Sequence, residues 1–469
     1  MCQEMEEQKL ALPRITTPLN IDGDVLFPGN NDFDAVAGIW DGRHLQQRPS
    51  VIARCTSAGD VQKAIRYARE NDLEISVRAG GHNPNGYATN DGGIVLDLRL
   101  MDSIDIDTVT GRARVGGGVI AGDLVQEAAR HGLAAVTGMH PKVGFCGLAL
   151  NGGVGFLTPF YGLASDNIVG ATLVTATGEL VHCSADERPE LFWAIRGAGP
   201  NFGVVTEVEV ALHELPRQML AGFMTWQPAV DKLPSLLTSI LDALNAMADH
   251  LYPSVFISMD ESGAPAITVC VGHLGKLDIA ERDIERLRGL GRPVSDSIAI
   301  RSYDEVVALN AEVGSFEDGM FNLWIDREIA VSNGRFAEAV AANLDKFISE
   351  PSTGNSVKLE IEGRPFGNPK GTPARHRDAM GVLAVAEWDG TSHGAAKYPE
   401  RARELDAALL HAGATTSKFG LLNNNSEVTP EMVIEVYTPE VYRRLAAVKR
   451  EYDPENCFHR NYNVDPQRF

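Results

Sequence analysis

Residues 76–98 read SVRAGGHNPNGYATNDGGIVLDL. The stretch begins at the end of one strand-like run, residues 73–77, and ends with a second one, residues 94–98. The connection holds Arg78, the pair Gly80 and Gly81, and a single histidine, His82. Glycines let successive backbone N–H groups turn inward and form a nest for an anion such as a diphosphate. An ordinary glycine turn with a solvent-facing histidine is the alternative, and Arg78 either adds charge to the nest or points to solvent. The spacing predicts a strand–loop–strand unit and leaves both uses of its loop open.

The composition is that of an ordinary globular protein with an acidic charge balance. The chain has 469 residues, of which 44% are hydrophobic and 22% charged, and its formal net charge is -21. This length predicts more than one domain, and the charge argues against nucleic acid or an anionic membrane as partner. No window is apolar enough to predict a membrane span. The six cysteines show no metal-binding spacing, so we expect no metal site and a reduced, cytoplasmic protein.

Changes in composition divide the chain into four regions. Residues 1–17 are acidic and predict a poorly ordered extension. Residues 18–215 are rich in glycine and alternate strands with helices, including a helix capped at Ser57 or Asp60 and a hairpin through Gly178. Residues 216–420 carry longer helical runs between strands, which is typical of an α+β domain. Residues 421–469 hold a helix and an extended polar tail, which we expect to return to the first domain.

Further glycine-rich loops follow the opening stretch. The sequence GGGVIA at residues 116–121 matches the pattern G-x-G-x-x-A after a strand. A dinucleotide fingerprint also needs an acidic residue about 20 positions later, and none stands there, which argues against a Rossmann domain. Glycines recur through residues 144–170 and again in GAGPNFG at residues 197–203. Several such loops in one region predict a long, multi-part cofactor.

A charged pattern marks residues 357–363, VKLEIEG. Lys358, Glu360 and Glu362 alternate with aliphatic residues, so a strand places the three charged groups on one face. Either that face lines a pocket or it is a solvated outer face. Residues 322–328, NLWIDRE, alternate in the same way, so that Asn322, Trp324 and Asp326 share a face that is a second candidate for the pocket lining.

The motifs together resemble a known family. The stretches SVRAGGHNPNG, HPKVGFCGLALNGGVGF, YGLASDNIVGATLVTATGE and RGAGPNFGVVTEVEV resemble the flavin domain of the vanillyl-alcohol-oxidase superfamily. The tail YDPENCFHRNYN resembles the C-terminal signature of its berberine-bridge-enzyme-like branch. The resemblance implies an α+β fold with two domains, a PCMH-type FAD-binding domain and an α/β substrate domain with an antiparallel sheet.

The resemblance also implies how FAD is held. The histidine of the R-x-G-G-H loop is joined to the 8α-methyl of FAD in this family, and that position is His82. Many relatives add a second bond from a cysteine, at a position that His140 occupies here, so a single bond is implied; Cys146 does not match that position. The residues expected to hold FAD are Arg78, Ala79, Gly80, Gly81, His82, Asn83, Gly86, His140, Pro141, Gly144, Gly147, Asn151, Gly152, Gly153, Gly155, Val205, Tyr462 and Asn463.

The implied reaction is the oxidation of an amine. Sugar-oxidising relatives carry a tyrosine base in a Tyr-x-Asn motif, and Leu421 stands at that position ahead of Asn423. A neutral amine needs no such base, because its lone pair stabilises the iminium product. The resemblance extends to branch members of nicotine degradation. It therefore implies hydride transfer from the pyrrolidine C–N of 6-hydroxynicotine, in its D form, to FAD, with dioxygen reduced to hydrogen peroxide. Lys358, Glu360, Glu362 and Asn423 are the expected active-site residues.

Two other functions remain open at this point. The same fold could oxidise an alcohol, such as a carbohydrate or a natural product, or the chain could bind flavin without turnover. The expected partner is a small-molecule substrate, with no nucleic acid and no membrane, and a homodimer is a further expectation.

Overall fold

A computed structural model of the chain describes residues 18–247, 249–251, 253–260, 262–309, 318–330, 332–363, 371–374, 379–391 and 394–469. The predicted extension at residues 1–17 lies outside the described residues. None of the described helices combines the length and the apolar character that crossing a bilayer requires.

The first sheet contains the opening stretch of the sequence. Its strands and the neighbouring helices are β1 (Asp24–Leu26), α1 (Phe33–Ala37), β2 (Val51–Arg54), α2 (Ala58–Glu70), β3 (Ile75–Arg78) and β4 (Ile94–Asp97). The strand order is β1-β2-β4-β3, with β2 and β3 parallel to β4. The Ser57 hydroxyl accepts a hydrogen bond from the backbone N–H of Asp60 and caps α2, as predicted. The connection from β3 to β4 is the loop of residues 79–93, called the His82 loop below.

The second sheet is antiparallel and five-stranded. This part of the chain forms β5 (Ile104–Asp107), β6 (Arg112–Gly116), α3 (Ala121–Arg130), β7 (Leu133–Ala134), α4 (Phe145–Ala149), α5 (Thr158–Tyr161), β8 (Ile168–Val174), β9 (Leu180–Ser184), α6 (Pro189–Ala198), β10 (Val204–Ala211) and β11 (His213–Glu214). The sheet order is β5-β6-β10-β8-β9, and β7 pairs separately with β11. The predicted hairpin is the β8–β9 connection, where Gly178 adopts a φ of 81°.

The third sheet is antiparallel and contains ten of the described strands. This part of the chain forms β12 (Met219–Trp226), α7 (Leu233–Ala246), β13 (Ser254–Met259), β14 (Pro265–His273), α8 (Leu277–Arg288), β15 (Ser295–Asp296), β16 (Ala299–Arg301), α9 (Tyr303–Leu309), β17 (Phe321–Ile329), α10 (Asn333–Ala341), β18 (Ile348–Glu350), β19 (Asn355–Glu362), β20 (Gly381–Trp388), α11 (Gly394–His411) and β21 (Thr415–Phe419). Its main order is β15-β12-β14-β13-β19-β20-β17-β21. The charged strand β19 therefore lies in the middle of the sheet.

The last part of the chain packs back on the first two sheets. It forms α12 (Pro430–Tyr437), α13 (Pro439–Tyr452) and an extended tail. The buried Lys449 ammonium donates to the backbone carbonyl of Asn201 and to Asp453. Val433, Leu445 and Val464 belong to the same buried apolar cluster as the second sheet. The α+β fold class and the antiparallel sheet of residues 216–420 are confirmed.

Candidate active site

A cavity of about 320 Å³ lies between the glycine-rich loops and the face of the third sheet. This volume is in the usual range of small-molecule sites. Most of the predicted site residues line it. They are Ala79, Gly80, Gly81, His82, Asn83, His140, Gly144, Gly147, Asn151, Gly153, Val205, Glu360, Glu362, Asn423 and Tyr462. The structure therefore brings the predicted cofactor loops and the two glutamates of β19 to one cavity.

Close backbone packing shapes the floor of the cavity. A Cβ added to Gly80 would collide with the backbone of Gly144, so the two loops approach at a distance that only glycine permits. Gly147 differs, because a Cβ added there would meet no protein atom within 4 Å. The space in front of Gly147 is left open by the chain itself. This open cradle is what a large, flat cofactor requires.

Seven predicted site residues lie outside the cavity lining: Arg78, Gly86, Pro141, Gly152, Gly155, Lys358 and Asn463. Gly86 packs against the ring of His44, and Gly155 against the carbonyl of Thr137. These two glycines make room for protein atoms. Pro141 contacts Gly122, and Gly152 lies near Ala374. Asn463 does not line the cavity, whereas the preceding residue, Tyr462, does.

Arg78 neither faces an anion nest nor points to solvent. Its guanidinium donates to Asp97 at 3.0 Å, and both side chains are only 1% exposed. Burial lowers the pKa of Arg78 to about 10, although the charge of Asp97 acts in the opposite direction. The residue pairs β3 with β4 beneath the His82 loop, so its role in the structure is to hold the loop's base.

His82 stands on the cavity wall between two other rings. The Trp40 ring stacks on it with a centroid distance of 5.5 Å and an interplanar angle of 18°. The His140 ring lies 6.2 Å away. Burial lowers the pKa of His82 to about 4, and burial together with the charge of His82 lowers that of His140 to about 4. Both imidazoles are therefore neutral at pH 7, with a lone pair on one ring nitrogen.

Glu360 and Glu362 project from β19 into the cavity. Ser254 donates to Glu360 Oε1 at 3.1 Å, and the Asn424 amide donates to Glu362 Oε1 at 2.7 Å. Burial and the neighbouring Glu362 charge raise the pKa of Glu360 to about 7. At neutral pH Glu360 is thus poised between its protonated and ionised forms, as a proton-exchanging group must be.

Lys358 shares the strand face of the glutamates but contacts a different partner. Its ammonium lies 2.8 Å from Glu387 Oε2, on β20. The Lys358 side chain does not line the cavity, but its charge lowers the pKa of Glu360. Its influence on the site is therefore electrostatic.

Several lining residues were not predicted from the sequence. Ser254, Phe256, Cys270 and Arg460 line the cavity from β13, β14 and the tail. Nothing in the local sequence of Ser254, Phe256 and Cys270 marks them, because they reach the cavity through strand pairing, whereas Arg460 stands in the tail motif YDPENCFHRNYN. Asn424 follows the predicted Asn423 in the run NNN, and that run was a usable signal. Trp324 lines the cavity, whereas Asn322 and Asp326, which the sequence placed on the same strand face, do not.

The cavity offers no readily ionised phenol among the described residues that line it. Tyr87 and Tyr462 are its tyrosines. Burial raises the pKa of each phenol above its usual value. Leu421 lines the cavity beside Asn423. A general base for an alcohol would have to be a carboxylate or a neutral imidazole of the lining.

Comparison with known proteins agrees with this geometry. A model of the FAD-binding domain matches residues 49–184, and a model described as berberine and berberine-like matches residues 422–465. The (R)-6-hydroxynicotine oxidase of Paenarthrobacter nicotinovorans is 78% identical over 454 residues, which cover 97% of this chain and 99% of that protein. The chain belongs to the berberine-like FAD-linked oxidoreductases.

Other berberine-like oxidoreductases show how far the likeness extends. The crystal structure of 6-hydroxy-D-nicotine oxidase from Arthrobacter nicotinovorans superimposes with a TM-score of 0.95, at 78% identity, over 97% of this chain and 100% of that one. A chitooligosaccharide oxidase of Gibberella zeae is 25% identical over 90% of this chain and 88% of its own length. Membership of the family confirms the predicted cofactor: the chain binds FAD. The open cradle at Gly147 and the glycine loops around it suit this group.

Proposed function

We propose that the chain is an FAD-dependent oxidase of (R)-6-hydroxynicotine, the D form, acting on the carbon beside the pyrrolidine nitrogen. The named relative at 78% identity supports this substrate. When bound, FAD supplies the hydride acceptor and passes the electrons to dioxygen, which yields hydrogen peroxide. Side chains of the cavity bind and orient the amine and accept its proton.

The observation that carries the proposal is the pair of carboxyl groups facing the FAD cavity. Glu362 is 5% exposed and accepts a hydrogen bond from the Asn424 amide. Negative charge in a low-dielectric site stabilises a cationic iminium product more than a neutral carbonyl product. Glu360, with a pKa of about 7, can exchange the proton of an incoming ammonium substrate. An amine therefore suits the site better than an alcohol.

We propose that His82 holds FAD by a single covalent bond. The neutral imidazole carries the lone pair that forms such a bond, because burial keeps its pKa at about 4. The neighbouring His140 stands where a cysteine would provide a second bond. The backbone around Gly80, Gly81 and Asn83 is proposed to hold the diphosphate, and Gly147 and Gly153 to allow close approach of FAD.

The substrate is tested by anaerobic mixing with D- and L-6-hydroxynicotine. We expect the D form to bleach the yellow colour rapidly and the L form to bleach it far more slowly. In air, peroxide should appear with the oxidised product in equal amounts. Bleaching by carbohydrate alcohols, with none by the amine, would favour the alcohol alternative. A colour that no substrate bleaches would indicate a flavin-binding protein without turnover.

The covalent bond is tested by acid precipitation. We expect the denatured protein to stay yellow and His82→Ala to release its flavin to the supernatant. A colourless pellet from the unmodified protein would rule out the tether. A flavin-bearing peptide that contains Cys146 would show that the attachment site is a different one.

The division into domains at residues 18–215, 216–420 and 421–469 also remains a proposal, supported by the separate sheets. A homodimer and a cytoplasmic location are proposed with it, the location because the described cysteines are free thiols. Light scattering of the purified protein and cell fractionation test these two points.

A further inference from the structure

A short segment, residues 40–44, lies between the His82 loop and β17 and is called the Trp40 segment. Backbone hydrogen bonds fix it on both sides. The Trp40 N–H donates to the carbonyl of Gly81, and the N–H of Gly319 donates to the carbonyl of Trp40. The Gly42 N–H donates to the carbonyl of Met320. The segment therefore joins the His82 loop to the third sheet. Its sequence, WDGRH, has no part in the function described so far.

The first residue of the segment orients the His82 ring. The Trp40 side chain is 3% exposed and stacks nearly parallel to the imidazole. The same ring makes an edge contact with Trp324, with a centroid distance of 5.4 Å and an interplanar angle of 61°. Trp40 thus contacts both the histidine and a second residue of the cavity lining. Rotation of the His82 ring would break this stacking, which is worth about 0.5–1.5 kcal/mol for aromatic pairs in general.

Arg43 fixes the backbone of the same loop two residues beyond His82. Its guanidinium donates to the carbonyl of Pro84. The same group is anchored from behind by Asp41, which is fully buried and accepts from Nε at 3.1 Å and from the terminal nitrogen at 2.8 Å. His44 Nε2 also donates to the Pro84 carbonyl, at 3.1 Å. A carbonyl held by two donors cannot move without losing both bonds.

The opposite side of the loop is held by other residues. Asn83 donates to the Tyr462 hydroxyl at 2.9 Å, and Asn85 donates to the carbonyl of Asn425 at 2.7 Å. Gly81 and Gly86 adopt positive φ within the loop, which glycine tolerates but which gives the backbone little stiffness of its own. The orientation of His82 therefore depends on contacts from outside the loop.

We propose that Trp40 and Arg43 are positioning residues for the attachment of FAD to His82, an inference that rests on the tether proposed above. In the attachment, a bond between a His82 ring nitrogen and the 8α carbon replaces one C–H bond of the methyl group and the imidazole N–H. Two protons go to solvent, and two electrons pass through the isoalloxazine to dioxygen, which becomes peroxide. This step requires the ring nitrogen to stay aligned with one carbon, and small misplacements slow such steps by ~10²-fold.

The experiment compares total and acid-stable flavin in purified holoenzyme variants, and follows the rise of the acid-stable fraction during incubation with excess FAD. Trp40→Leu removes the stacking, and Trp40→Phe keeps an aromatic face. Arg43→Gln removes the charged anchor, and Arg43→Lys keeps one charged donor. Arg327→Gln is the matched control, because Arg327 makes a comparable, largely buried pair with Asp406 away from His82.

We expect Trp40→Leu and Arg43→Gln to bind FAD but to form the acid-stable bond ~10–100-fold more slowly. Trp40→Phe should restore most of the rate, Arg43→Lys part of it, and Arg327→Gln should match the unmodified protein. Unchanged attachment in both Trp40→Leu and Arg43→Gln overturns the inference. So does a parallel loss of total flavin in these variants, because that result indicates a general folding role. A colourless pellet from the unmodified protein would instead refute the tether itself.

Discussion

Ser254 donates a hydrogen bond of 3.1 Å from its hydroxyl to Oε1 of Glu360, across the pairing of β13 with β19. This bond lowers the pKa of Glu360, whereas burial and the nearby Glu362 charge raise it, with the result at about 7. Glu362 and Ser254 thus act on the proton of Glu360 in opposite directions, and the charge of Lys358 acts in the same direction as Ser254. Each neighbour can be removed by one substitution.

The two substitutions should move the titration of Glu360 in opposite directions. Ser254→Ala removes a bond that stabilises the ionised form, so the transition should move to higher pH. Glu362→Gln removes a repelling charge, so it should move to lower pH. The pH dependence of the visible flavin spectrum measures both shifts, and Ser262→Ala, which affects only an exposed bond to Asp260, is the control. Shifts of the same sign in both variants would contradict this assignment.

Neutral replacement of either cavity glutamate should slow substrate oxidation. Glu360→Gln and Glu362→Gln each remove a charge-assisted interaction at the reacting end of the cavity, and ~10²–10³-fold slower anaerobic flavin reduction is expected. FAD should stay attached. Lys358→Met should have a smaller effect, because Lys358 acts through its charge from outside the lining. Glu350→Gln, at an exposed pair with Lys397, is the control. Normal turnover in all three strand variants would make β19 a structural strand only.

The protonation state of the substrate should govern the pH dependence of the reaction. An ammonium ion has no lone pair and cannot give hydride, so the rate of flavin reduction should rise with pH and then level off. We expect the rise to persist in Glu360→Gln and in Glu362→Gln, displaced along the pH axis, because the titrating group belongs mainly to the amine. Loss of the rise in one variant would identify that carboxyl group as an obligatory general base.

Gly147→Ala should weaken FAD binding without harming the protein fold. The added methyl group meets no protein atom within 4 Å, and alanine favours the helical conformation of α4. The methyl would instead occupy space in the cavity that we assign to FAD. The measurement is FAD content after expression, together with the thermal stability of the flavin-free fraction. Full FAD content in this variant would place the cofactor elsewhere in the cavity.

The buried pair of Arg78 and Asp97 should matter for stability more than for chemistry. Arg78→Ala removes one of the two guanidinium groups that pair with the buried Asp97 carboxylate, the other being that of Arg99, and the loss of a hydrogen bond to a charged group typically costs about 1.5–3 kcal/mol of the free energy of unfolding. Arg112→Ala breaks an exposed pair with Glu209 and should cost about 1 kcal/mol or less. Urea unfolding of both variants gives the comparison. Equal costs would show that the burial of the pair has no energetic consequence.

The sequence allowed the local features to be predicted because their causes are local. Ser57 caps a helix through its own next turn, Gly178 makes a tight hairpin, and the alternation of Glu360 and Glu362 follows from the two-residue period of a strand. The shared cavity of the glycine loops followed from the family resemblance, which already reflects the whole fold.

Some residues that the sequence predicted for the site lie outside the cavity, and they show what a local sequence pattern does not reveal. Arg78 looks like an anion ligand in its motif, but the parallel register of β3 and β4 sets it opposite Asp97. Lys358 shares a strand face with Glu360, but its ammonium pairs with Glu387 on the neighbouring strand β20. A residue larger than glycine does not fit at position 155, because the Thr137 carbonyl lies too close. Each outcome depends on a partner distant in sequence, which no local pattern reveals.

The bond from Asn83 to the Tyr462 hydroxyl joins residues 379 positions apart. During synthesis, the loop that carries His82 leaves the ribosome long before the tyrosine that clamps it. At about 5–20 residues per second, this delay amounts to roughly 20–80 s. The nascent chain therefore cannot close its flavin cavity while it grows, and cofactor loading becomes an event that follows translation. A cell short of FAD would accumulate finished chains awaiting their cofactor, and their cavities would be exposed to proteases during that wait.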